Sequence, residues 1–103
     1  MSDRPHIECE LMFLASEEGG RSTAVNLSDN RYRPHLKVGN SDWLGVMFNS
    51  GPVSVAPGES ATAIALLIFP DVDYSPLRQP GTEFSILEGP KVVGHGVVRQ
   101  WVC

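Results

Sequence analysis

The chain reads as an all-β domain, a sandwich or a barrel, on three observations. Apolar residues alternate with polar ones at the period of a strand. Glycine and proline, 10 and 8 of the 103 residues, punctuate the chain at strand-length intervals. Two extended runs near the C-terminus are separated by the spacing of a tight hairpin. There is no heptad, internal repeat or low-complexity segment to suggest another architecture.

Taken in order, Ile7, Cys9, Leu11 and Phe13 alternate with Glu8, Glu10 and Met12, which predicts a strand with one buried face. Arg33 to Val38 is a second extended run, because Pro34 disfavours helical backbone at Arg33. Asn40-Ser41-Asp42 supplies turn chemistry before a third run, Trp43 to Phe48. Ala61 to Phe69 is apolar on both alternating faces, a pattern a helix shares. Its flanks, Pro57-Gly58 and Pro70, and the residues Ile64, Ile68 and Phe69 favour a strand buried on both sides.

Thr82 to Leu87 and Lys91 to Val102 flank Glu88-Gly89-Pro90-Lys91. Proline cannot take positive φ, so a type I′ turn is excluded and a type II′ turn with Gly89 first is expected. Gly94 and Gly96 predict a bend or the close approach of another backbone, or simply room for the His95 ring between them.

A chain of this length holds one core, so a single domain over 1–103 is expected, with its barrel or sandwich over 6–102. Twelve acidic against eight basic residues leave a net charge of −4, the wrong sign for a dedicated nucleic-acid binder. The longest apolar run, Ala61 to Pro70, falls well short of the ~20 residues a membrane helix needs. The N-terminus, Met-Ser-Asp-Arg-Pro, carries no secretory signal, and Cys9 and Cys103 alone make no disulfide framework. A reduced, cytoplasmic setting is therefore expected.

Motifs for chemistry are missing. There is no Gly-x-x-x-x-Gly-Lys-Ser/Thr loop for phosphates and no Gly-x-Ser-x-Gly elbow for a nucleophile. Asp71 and Asp73 lack the further oxygen donors of a calcium loop. His6, His35, His95, Cys9 and Cys103 do not fall at zinc-ligand spacings. No enzymatic activity, cofactor or metal is expected. Arg21, Arg31, Arg33 and Lys37 form a basic cluster in sequence, suited either to phosphates or to ion pairs with Glu17, Glu18 or Asp42. Trp43 and Trp101 are expected to pack at the core or barrel end.

Several fragments in fixed order carry a family resemblance: Glu17-Glu18-Gly19-Gly20-Arg21, Tyr32-Arg33-Pro34, Asp42 with Gly45, Ala56-Pro57-Gly58, Glu88-Gly89, Val93-Gly94 and Gly96-Val97-Val98. From about His6 to Val102 the chain resembles the C-terminal, third β-barrel domain of bacterial elongation factor Tu. That resemblance implies a closed, six-stranded antiparallel barrel. It does not extend to the GTPase domain, so GTP binding is not carried over, and a free-standing single-domain product is expected.

In that family the third barrel packs on the GTPase domain and holds the T stem of aminoacyl-tRNA. The tRNA positions align with His35, Leu44 and Glu88. Only Glu88 keeps the family residue, and leucine offers no hydrogen bond to a ribose or phosphate. The resemblance thus implies a binding module that recognises a protein through Gly19, Gly20, Arg21 and Ser85, the face that would meet a GTPase domain. The alternatives are weakened tRNA binding through Arg33, His35, Lys37 and Glu88, or a structural homodimer covering the vacated face. A lengthened loop, Leu27-Ser28-Asp29-Asn30, is expected to reshape one rim of that face.

Overall fold

The computed structural model describes residues 5–102. It contains seven strands: β1 (His6–Phe13), β2 (His35–Lys37), β3 (Leu44–Gly45), β4 (Met47–Ser50), β5 (Ser60–Leu66), β6 (Glu83–Glu88) and β7 (Lys91–Val102). Two single 3₁₀ turns, Ser16–Glu18 and Ser75–Leu77, are the helical elements among the described residues. The strands pair antiparallel in one curled sheet of order β3-β2-β6-β7-β1-β5-β4. The all-β expectation is met.

The closed six-stranded barrel is not. The sheet has seven strands and ends at β3 and β4, which form no ladder with each other. The expected run Trp43 to Phe48 divides at Val46 into these two edge strands. Proline chemistry explains the break. Continuing the register His35↔Gly45 places Pro34 opposite Val46. Val46 N–H reaches Pro34 C=O (3.1 Å), but proline has no N–H to return, so the ladder stops at His35. Phe48 N–H bonds Tyr32 C=O (3.0 Å) farther along, so loop hydrogen bonds narrow the gap without making it a strand pair.

Curvature comes from register shifts between Glu8 and Cys9, Phe48 and Ser50, and Ile86 and Leu87, since each bulge bends and twists its strand. Inside the curl the alternation of β1 is borne out: Ile7, Cys9, Leu11 and Phe13 are buried. They join Leu36, Leu44, Val46, Phe48, Ile86, Val93 and Val98 in one cluster, to which the loops add Val25, Leu27, Val55, Tyr74 and Leu77. Leu27, in the loop before β2, is fully buried and its N–H bonds Pro52 C=O (3.0 Å), so that loop contributes to the core.

Two expectations change. The apolar run Ala61 to Phe69 is a strand only to Leu66, and it buries one face, Ala63 and Ala65, while Ala61, Ile64 and Leu66 are half-buried. Ala63 and Ala65 face the core, and the opposite face of the strand is turned outward. The glycines of β7 make room for other groups than His95, which is exposed. A Cβ at Gly94 would stand 2.7 Å from the Met12 carbonyl oxygen, and one at Gly96 would overlap the Phe84 ring. The hairpin is as expected: Glu88 pairs with Lys91 around Gly89-Pro90, and Gly89 has φ 58°.

Candidate functional site

Apart from the Cys9 thiol and the Tyr74 hydroxyl, each bonded to a backbone carbonyl, no polar or charged side chain is buried among the described residues, so the other candidate functional groups lie on or near the surface. They gather in three places.

The first is the turn after β1. The 3₁₀ turn Ser16–Glu18 ends at Gly19, whose φ of 91° a side chain would strain. Gly20 has ordinary φ, and its role is different: a Cβ there would overlap the Leu14 carbonyl. The tight reversal carries Arg21 back across the sheet end. Arg21 forms an ion pair with Glu88 and lies 5.4 Å from the Tyr32 ring centroid. Tyr32 O–H donates to the same Glu88 oxygen (2.6 Å), and its ring stacks on Phe48 (5.8 Å) and tilts against Phe13 (6.2 Å). Burial, and then the Glu88 carboxylate, push the Tyr32 phenol above its ordinary range, so it remains a neutral donor. The arrangement ties the turn, the loop before β2 and the end of β6 together.

The second place is a groove of about 710 Å³ on the outer face of the sheet. Register defines its floor. Lys37 pairs with Ser85, Ser85 with His95, His95 with Met12 and Met12 with Ser60, one cross-strand row over β2, β6, β7, β1 and β5. Paired side chains project to the same side, about 5 Å apart. A parallel row holds Glu83, Val97, Glu10 and Thr62. Glu10 is paired with Arg99, whose hydrogen bond holds its carboxyl below the usual range. Met12 is 54% exposed, a large apolar side chain open to solvent between polar neighbours.

The third is the sheet edge at β2 and β3. The His35 ring tilts against Trp43 (5.6 Å), and Phe69 lies over Gly45. Trp43 is 44% exposed rather than packed at the core. Trp101, by contrast, is half-buried against the core with the Arg78 guanidinium 5.1 Å over its ring.

The eight residues singled out from sequence are thus regrouped. Arg21, carried on the Gly19-Gly20 turn, meets Glu88, and Ser85 sits instead beside Lys37 in the groove. His35 belongs to the aromatic edge, and Arg33 is exposed with its Nε toward Asn30 C=O (3.4 Å). Arg21 pairs with Glu88 rather than with Glu17, Glu18 or Asp42, and Arg31 pairs with Asp29 (3.6 Å). Sequence reasoning missed Tyr32 as the centre of the first cluster, although it quoted the Tyr-Arg-Pro run. It also missed Met12 and His95 as groove residues; their outward phase in alternating strands was the available signal. Among the described residues no three His, Cys, Asp or Glu side chains are grouped to hold a metal; Cys103 lies outside those residues. Among the described residues no helix is long and apolar enough to cross a membrane. No protein-family model matches the sequence.

Proposed function

We propose that this chain is a non-catalytic binding module, similar to the third barrel of elongation factor Tu, that recognises a protein through the groove containing Ser85. The observation that carries this reading is Met12, an exposed thioether on the floor of a polar-rimmed concavity, flanked by His95 and Ser60. Apolar surface framed by polar groups is what a protein partner covers. Arg21 and the glycine turn take a supporting part, since the Arg21 charge is engaged by Glu88 within the fold.

One further observation favours this reading over binding of a tRNA. Glu88, the one position matching the tRNA contacts of the related barrel, is used internally by Arg21 and Tyr32.

The test is capture from native extract by the wild-type chain and by Ser85→Glu, with unchanged circular dichroism as the folding control. Loss of the same captured protein in the variant supports the groove; equal recovery overturns it. Concentration-dependent dimerisation in sedimentation, abolished by Ser85→Glu, would assign the groove to a second copy.

A further inference from the structure

Resting on the groove as a protein-binding surface, we infer that its occupant is an acidic segment, with one carboxylate side chain seated on Lys37, Ser85 and His95 and a neighbouring apolar side chain on Met12. Three potential hydrogen-bond donors, an ammonium, a hydroxyl and an imidazole, stand in successive register positions on three adjacent strands. None of the three side chains has an ion-pair or hydrogen-bond partner among the described residues. Lys37 and Ser85 are half-buried in the concavity, which reduces their access to water. Such donors favour an anion that lies across the strands and accepts from all three.

The remaining charges select the kind of anion. The carboxylate of Glu10 is already paired with Arg99. Glu83 lies two residues before Ser85 on the same outward phase, about 7 Å along the strand. Its negative charge opposes a dianion beside Ser85 more than a monoanion, which favours a carboxylate over a phosphate. Met12, next in the row after His95, supplies apolar contact that a free small anion would leave uncovered. Together the row matches an acidic residue and, two positions on, an aliphatic one on an extended segment crossing β6, β7 and β1, since alternate side chains of such a segment share a face.

The experiment is a two-dimensional amide NMR titration of the full chain with three probes. They are a capped eight-residue peptide with Glu-Ser-Leu at its centre (the Glu-Leu peptide), the same peptide with Gln-Ser-Leu, and inorganic phosphate. The Glu-Leu peptide is expected to shift amides around Lys37, Ser85, His95 and Met12. Glutamine in the peptide, or Lys37→Gln in the protein, is expected to weaken binding roughly three- to ten-fold. Equal binding of the Glu and Gln peptides, phosphate binding as tightly as the Glu-Leu peptide, or no shift at millimolar peptide overturns the carboxylate seat. The two readings fail separately. If Ser85→Glu abolishes capture of the protein partner while Lys37→Gln and His95→Gln retain it fully, the groove stands and the acidic occupant falls. If Ser85→Glu changes nothing, both fall.

Discussion

Arg21, Tyr32 and Glu88 show how a single carboxylate can organise three distant parts of a chain. Glu88 accepts from a guanidinium and a phenol at once, and both donors are partly shielded from water. Charge-assisted hydrogen bonds in such surroundings are worth more than exposed ion pairs. Tyr32→Phe is expected to cost about 1–2 kcal/mol. A double-mutant cycle of Arg21→Ala and Tyr32→Phe, followed by chemical denaturation, should show a coupling of about 0.5–2 kcal/mol. Additivity of the two variants would mean that they do not act as one unit. At the same scale, Gly96 and Gly19 differ in kind. Gly96→Ala forces a Cβ against the Phe84 ring and to 2.9 Å from the Glu10 carbonyl oxygen, an overpacking expected to cost about 1–3 kcal/mol. Gly19→Ala meets nothing within 4 Å and carries only the strain of its φ of 91°, about 1–2 kcal/mol, so Gly19→Asn should be milder than Gly19→Ala. Thermal or urea unfolding of the three variants checks the order.

At the scale of elements, the sheet divides into a firmly paired centre and lightly held edges. β1 lies between β5 and β7 over nearly its whole length, whereas β3 has two residues and one strand partner. Amides of β1 and β7 are expected to exchange with solvent roughly a hundredfold more slowly than those of β3 and β4, because edge pairs open without breaking the core. Equal protection across the sheet would show that β3 and β4 open only with global unfolding. Most of this level was legible: the period-two residues of β1, the Gly89-Pro90 hairpin and the breaks around each run are local features. The extent of β5 was not, since apolar residues on both faces do not say which face the sheet will turn outward. The break at Val46 also escaped, because it depends on Pro34, twelve residues earlier, arriving opposite it.

For the whole molecule, the buried thiol of Cys9 makes stability depend on alkaline pH. Burial pushes its pKa from the ordinary 9.0 to about 12, while the unfolded chain titrates near the ordinary value. The folded state therefore holds this proton more tightly, and its contribution is fully present below pH 9.0 and is lost as pH rises toward about 12. The expected slope for one such group is about 1.4 kcal/mol per pH unit. Tyr32, also raised, adds in the same direction at the upper end of the window. Urea midpoints measured from pH 8 to 11 should fall for the wild type and fall less for Cys9→Ala. Parallel curves would mean that the thiol ionises without penalty.

The sequence by itself determined the strand-forming alternation, the turns and the residues of the inner face, because these rest on neighbours two to four positions apart. It also supplied the residue types of both candidate surfaces. Only the tertiary structure decided how they group: register, a property of pairs of strands, put Ser85 beside Lys37 and His95, and curvature brought Glu88 to Arg21 across 67 positions of chain. Whether the sheet closed was likewise a matter of one missing N–H meeting its counterpart across the gap, which no local pattern encodes.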